Sequence, residues 1–409
     1  MLATSFLVCF SASRSELVLP TSLRPLPSWL AGPLQGTGFE LGLGALIAAF
    51  VVMFASYAIA ARSADRLSAK TVLVCIVALH AIVLLAPPLF SSDVFSYTAY
   101  ARMGTVFDAN PYTHGPNSFP MEALHPLIGA QWVGTPTVYG PVFTALSYLL
   151  VPFDIAANVL AYKAVAAISS LVLILVIWHA ARLRGLNSVK AAALVGLNPI
   201  IVVFGVGGGH NDLLMLAILA VGLYVLLQER ERSSGALLIT ATAVKLTAGL
   251  LLPFAFAARR GIGAGAARRG LLVGACAGAA VIVALAYAFF GTGPLHVLAT
   301  LQGIQAEGGE HSIAGFLLKA VGLPGLAHPV SVVLTVVFAA IVAWLLHRVW
   351  IGELDWITGA GWATVALLCT TGFLVPWYVA WLIPLAALSS DRRLLGAAII
   401  LTGVGLTTL

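Results

Sequence analysis

Four short stretches hold residues that could do chemistry, and each lies where an apolar run ends or breaks. The first is Ser91-Ser92-Asp93-Val94-Phe95-Ser96-Tyr97, just after a run that closes in Pro87-Pro88-Leu89-Phe90. A carboxylate at a membrane boundary is costly to keep, which makes Asp93 a candidate functional group. The same place suits a helix N-cap, because Ser91, Ser92 and Asp93 precede a helix start. The second is Gly207-Gly208-Gly209-His210-Asn211-Asp212, between two apolar runs. Glycines let the backbone approach a ligand closely, and the next three residues add a titratable ring, an amide and a carboxylate. A turn alone asks for glycine and asparagine, not for histidine and aspartate as well. His210 and Asp212 could also hold a divalent cation, but two ligands of mixed type are a weak metal signal. No cofactor is expected, and a divalent metal is left open.

The third stretch is Thr240-Ala241-Thr242-Ala243-Val244-Lys245-Leu246-Thr247. A lysine inside an apolar run pairs, snorkels or lines a pathway. The partner expected for Lys245 is an anion such as a lipid phosphate, whereas Lys163 is expected to snorkel. Arg102 is the other anion-binding candidate, as the one arginine in the long loop that begins at Ser91. The fourth stretch is Val375-Pro376-Trp377-Tyr378-Val379-Ala380-Trp381, where Trp377 and Tyr378 suit an interfacial aromatic belt or a platform for a sugar ring. Asp108, before Asn110-Pro111, suits an Asx-type turn. His114, His125 and His311 are lone loop histidines without an assigned role. Glu307 and Glu310, in a glycine-rich loop, read as part of a mobile lid or as solvated charges.

The elements that must position these groups are membrane helices. The chain is 60% hydrophobic and 9% charged, against roughly 25% charged in soluble domains. Continuous apolar runs of about 20 residues each suit a helix across a ~30 Å hydrocarbon core, and their continuity argues against a barrel. Nine runs read as spans: Leu41–Ala61, Thr71–Phe90, Ala157–Ala181, Ala191–Gly205, Leu213–Gln228, Leu271–Phe290, Val330–Leu346, Trp356–Leu374 and Leu394–Leu409. Polar residues or proline interrupt Ala236–Ala258 and Phe373–Leu388, which read as broken or hairpin-like spans. The fold class is therefore all-α, a polytopic integral membrane protein of about 11–13 helices.

The net charge of +6 sits in short basic clusters between the runs: Arg62/Arg66/Lys70, Arg182/Arg184/Lys190, Arg230/Arg232, Arg259/Arg260/Arg268/Arg269, Arg348 and Arg392/Arg393. That is the placement that orients membrane proteins, not a nucleic-acid surface. With these clusters cytoplasmic, Ser91–Asp154, Gly207–Asp212 and Gly291–Ser312 share the other side, and Lys245 comes near it only if Ala236–Ala258 dips in and returns. Asp93–Met103 and Tyr139–Leu150 read as interfacial helices around a proline-rich centre. Residues 1–40 form an N-terminal extracytoplasmic segment and 41–409 the main domain, with its site in loop 91–154. Met1–Phe10 reads as the end of a truncated helix or a loose terminus, and no signal peptide is recognised. The four cysteines lack ligand spacing and suit small core positions.

These motifs, taken in order, resemble a known family. Asp93-Val94-Phe95-Ser96-Tyr97, Asn110-Pro111-Tyr112, Tyr139-Gly140-Pro141, Gly208-Gly209-His210-Asn211-Asp212, Val244-Lys245 and Pro376-Trp377-Tyr378 follow the pattern of bacterial polyprenyl-phosphomannose-dependent α-1,6-mannosyltransferases. These belong to the C-type (GT-C) membrane glycosyltransferases. The resemblance runs from about Gly42 to near the C-terminus, and the family has a further N-terminal span. It implies a GT-C-like fold, a polyprenyl-phosphate sugar donor, a cell-envelope glycolipid or polysaccharide acceptor, and inverting transfer on the outer face of the plasma membrane. It makes Asp93 the base and places Tyr97, Arg102, Asp108, Tyr139, His210, Asn211, Asp212, Lys245, Trp377 and Tyr378 around the substrates. Two rivals are a transferase for another polyprenyl-phosphate sugar, such as arabinose or glucose, and a lipid-carrier flippase. A flippase would place its sites at mid-depth between repeated halves, and no repeat is evident here.

Overall fold

The computed structural model describes residues 1–31, 36–259, 261–307 and 312–407. Arg260, Glu310 and His311 lie outside the described residues. Helix is the only regular secondary structure among them, so the all-α expectation holds.

Four helices have the length and composition to cross a membrane: Leu43–Ser63, Ile155–Leu183, Ala264–Phe290 and Ala327–Ile351. A fifth arises if Ser188–Gly196 and Ile200–Val206, bent by 45° at Asn198-Pro199, count as one span. The remaining predicted runs form shorter apolar helices, among them Ala69–Leu84, Asp212–Leu227 and Trp356–Thr370. Sixteen residues of helix cover about 24 Å, so these do not reach across alone. Both runs expected to break do so. Glu231–Val244 stops at Lys245, which is extended, before the tight turns of Leu246–Leu250 and the helix Leu251–Ala257. Pro376–Trp381 and Ile383–Ala387 divide the other.

The core is the bent pair. Every residue of Ile200–Val206 is buried, and this segment winds as a widened π-type turn, a form often found beside functional sites. Asn198 supports the bend: its Oδ1 accepts from the Ile200 N–H at 2.9 Å, and its Nδ2 donates to Thr402 at 3.0 Å. Helices Ile155–Leu183, Asp212–Leu227, Glu231–Val244 and Ala264–Phe290 pack side by side in that order. The last two approach closely because a Cβ at Gly235 or Gly274 would run into the facing backbone.

Several expectations need correction. Leu2–Ser11 is a helix packed on Ala69–Leu84 and Leu43–Ser63, not a loose terminus. Cys9 is buried, but Cys276 and Cys369 are exposed on outward helix faces, so only Cys9 is a full core residue. Lys163 does not snorkel. It is buried and donates to the carbonyls of Ala86 and Pro87, where Pro87 and Pro88 have no N–H of their own to offer.

The basic clusters gather acidic and aromatic partners of their own. Arg184 meets Asp355 at 3.0 Å, Arg259 meets Glu231 at 3.6 Å, and Arg268 lies 3.9 Å over the Trp350 ring. The polar stretches at the other ends of the helices meet one another. Asn110 Nδ2 donates to the Phe290 carbonyl at 2.7 Å, bringing the start of segment 291–312 beside the Ser91 loop.

Candidate functional site

Asp93 opens the helix Asp93–Val106, and nine residues of that helix are buried. It is packed into the protein, not laid on a surface, and its counterpart in the loop is Pro141–Tyr148. Asp93 does not cap. Ser91 Oγ accepts from the Asp93 N–H at 3.2 Å, and the Asp93 carboxylate turns inward. There Oδ2 lies 3.1 Å from His210 Nδ1, 3.4 Å from the Tyr97 hydroxyl and 3.5 Å from the Tyr139 hydroxyl. Burial works against ionisation of Asp93. Its neighbours His210, Lys245 and Ser91 outweigh it and hold the carboxyl below its usual value. Burial and the charge of Asp93 push Tyr97 and Tyr139 well up, which keeps both phenols as donors.

The Gly207–Asp212 turn supplies the opposite wall. Gly209 has φ +67°, a conformation open to glycine at little cost. A Cβ on Gly208 would lie 2.6 Å from His210 Nε2, so the turn closes directly over the ring. Trp377 covers one ring face, with centroids 3.9 Å apart. Asn211 donates its N–H to Tyr97 Oη at 3.4 Å, while both polar atoms of its buried side chain have no partner. Neither ring nitrogen of His210 has an aligned hydrogen-bond partner, Nδ1 meeting Asp93 Oδ2 as a close contact only. Orphaned buried polar atoms cost about 1–3 kcal/mol each unless something meets them.

Asp212 is placed quite differently. Lys245 donates to both its oxygens, at 2.7 and 2.9 Å, and Trp381 Nε1 donates to Oδ1 at 2.6 Å. The Asp212 side chain is 2% exposed, against 19% for Asp93. Lys245 lies 4.9 Å from the Tyr378 ring centroid, and Tyr378 stacks on Trp381 at 4.2 Å. The helix break that frees Lys245 is held from the loop side: the Gly140 N–H donates to Val244 O at 3.0 Å, with no room for a Cβ against the Ala243 carbonyl.

Of the eleven residues singled out from sequence, nine converge here: Asp93, Tyr97, Tyr139, His210, Asn211, Asp212, Lys245, Trp377 and Tyr378. Two do not. Arg102 pairs with Glu122 through a forked contact of 3.0 to 3.2 Å. Asp108 is exposed at φ +50°, and the Asx turn belongs to Asn110, whose Oδ1 accepts from the Tyr112 N–H. The partner of Lys245 within the chain is Asp212. Trp381 was missed, although Trp377/Trp381 and Tyr378/Trp381 stand at the i, i+4 and i, i+3 spacings that bring side chains together. Among the described residues no group of three His, Cys, Asp or Glu side chains converges as a metal site.

A bundle of whole and broken apolar helices, with a buried carboxylate–imidazole pair beside a neutralised aspartate–lysine pair, defines a polytopic membrane protein with an enclosed polar site. Residues 1–260 match the alpha-(1->6)-mannopyranosyltransferase N-terminal domain of the MptA/B family, and residues 311–408 match the MptB C-terminal domain. The chain belongs to that family.

Alpha-(1->6)-mannopyranosyltransferase A of Mycobacterium tuberculosis is 26% identical over 351 residues, covering 77% of this chain and 64% of its own. The B enzyme of Corynebacterium glutamicum is 25% identical over 395 residues, covering 85% and 64%. The A enzyme of the same organism is 32% identical over 177 residues, covering 41% and 35%. The chain thus spans less than two thirds of the length of these relatives.

Proposed function

We propose that this protein transfers mannose from a polyprenyl-phosphate donor to a glycolipid or polysaccharide acceptor, with inversion, on the outer face of a bacterial plasma membrane. The names of its relatives support the sugar and the reaction class. One observation carries the chemistry: of two carboxylates in the site, Asp212 is saturated by Lys245 and Trp381, while Asp93 keeps weaker, longer contacts and partial exposure.

Asp93 therefore takes the proton of the attacking hydroxyl, a role that needs an ionised carboxylate within hydrogen-bond reach. The hydroxyl oxygen bonds to the anomeric carbon from the face opposite the phosphate. The bond from that carbon to the phosphate oxygen breaks, and its electron pair leaves on the polyprenyl phosphate. Lys245, whose charge reaches Asp93, stabilises the charge that develops there. Because Asp212 already neutralises much of it, Lys245 binds the singly charged phosphodiester of the donor weakly and gains most as the departing polyprenyl phosphate acquires its second negative charge. The free amide of Asn211 orients the donor, and the half-buried Trp377 and Tyr378 border the sugar.

Transfer assays on the purified full chain test this, offering polyprenyl-phosphate mannose, the arabinose and glucose analogues, and a nucleotide-mannose. Transfer from the polyprenyl-phosphate mannose alone, lost in Asp93→Asn, is the expected result. Equal use of another lipid-linked sugar would move the specificity, and donor binding without transfer would favour a lipid carrier.

A further inference from the structure

His210 has no freedom to bind a sugar. Its side chain is fully buried, one face lies on Trp377, and the Gly208 backbone closes over Nε2. What Nδ1 does reach is Asp93 Oδ2, at 3.1 Å, closer than either tyrosine hydroxyl. We propose that His210 is a positioning residue for Asp93: wedged between Trp377 and the carboxylate, its ring fixes the direction of Oδ2 inside a buried site.

The groups around the pair leave this task to His210. From its own helix Asp93 faces Tyr97, with Tyr100 beyond, and from the loop it faces Tyr139; burial pushes all three phenols up and keeps them neutral donors. Tyr378, from the 376–381 segment, lies against Lys245 and Trp381. Asp212, two residues from His210, adds negative charge but is already held by Lys245 and Trp381. Lys245 acts on Asp93 through charge alone, after His210 in size. Lys163 packs beneath Gly209, but its ammonium is turned to the Ala86 and Pro87 carbonyls. Trp377 adds no titrating group and fixes the ring by stacking on it. Without His210, burial is the largest influence left on Asp93, and burial favours the protonated form.

This inference rests on Asp93 being the base, and the experiment separates the two claims. Transfer from a short-chain polyprenyl-phosphate mannose to an alkyl α-mannoside is followed against pH, at saturating substrate, for the wild-type full chain, Asp93→Asn, His210→Ala and His210→Gln. The expected result is an acid limb displaced to higher pH in His210→Ala by a unit or more, with the rate recovering as pH rises and KM little changed. His210→Gln, which keeps a neutral donor, should show a smaller displacement, and it carries the comparison if the alanine variant does not fold. A His210 profile that parallels wild type at every pH, or a change in KM alone, overturns the positioning role. If Asp93→Asn is inactive while both His210 variants keep the wild-type limb, only this inference falls. Turnover in Asp93→Asn near that of wild type removes the base assignment, and the positioning role with it.

Discussion

Asp93 and Asp212 stand on opposite walls of one site, and the difference between them lies in what the chain spends on each. Asp212 has three charge-assisted or indole hydrogen bonds of 2.6 to 2.9 Å and almost no exposure. Asp93 has contacts of 3.1 to 3.5 Å and an open edge. A carboxylate meant to accept a proton has to stay reachable and imperfectly satisfied, whereas one meant to hold a lysine in place is best fully bonded. The same residue type is saturated on one wall and left reachable on the other.

The largest effect that would break this comparison is on turnover. Asp93→Asn should lower transfer on the order of 10²- to 10⁴-fold, with a smaller fall in melting temperature in detergent than Asp212→Asn. Asp212→Asn should do the reverse in emphasis, leaving Lys245 buried opposite a neutral amide. Loss of one partner of a buried pair costs about 3–5 kcal/mol, read as a clear fall in melting temperature; pairing it with Lys245→Met should recover part of that fall. Equal melting temperatures for Asp93→Asn and Asp212→Asn would erase the distinction.

Trp381→Phe sharpens the contrast by removing a single donor to Asp212. It should cost about 1.5–3 kcal/mol, with transfer reduced less than by Asp93→Asn. An acid titration of stability addresses Asp93 itself. A carboxyl held below its usual value stabilises the fold above the unfolded value of about 4 and loses that contribution as pH falls through the folded one. The melting temperature should therefore hold from neutral pH to about 5 and fall in more acidic buffer, with a shallower fall in Asp93→Asn. Arg102→Gln should be the mildest, below about 1 kcal/mol, since its partner Glu122 is also partly exposed.

Much of this site was legible because its residues are expensive where they stand. Asp93, His210, Asp212 and Lys245 interrupt apolar runs, and such residues at membrane depth have few uses besides function. The breaks at Lys245 and Pro376 were legible too, from glycine, proline and polar residues within apolar runs. Partners were harder. The Lys245–Asp212 pair joins residues 33 apart through a break whose direction no periodicity reveals, so an outside anion looked the natural partner. Lys163 looked like a snorkelling residue because hydropathy ignores the carbonyls that Pro87 and Pro88 leave without nearby donors. Span lengths were overread for a related reason: apolar composition continues through Leu85–Phe90, but the helix stops at Leu84.

The bond from the Gly140 N–H to Val244 O fixes more than a loop position. It makes two distant stretches of the gene answerable to each other. A side chain at 140 would push the chain away from residues 243 and 244, and a continuous helix through 245 would take back the carbonyl that Gly140 now satisfies. Across related sequences the glycine and the helix break should therefore be kept or lost together. A relative that has replaced one and retained the other would carry its lysine to a different place.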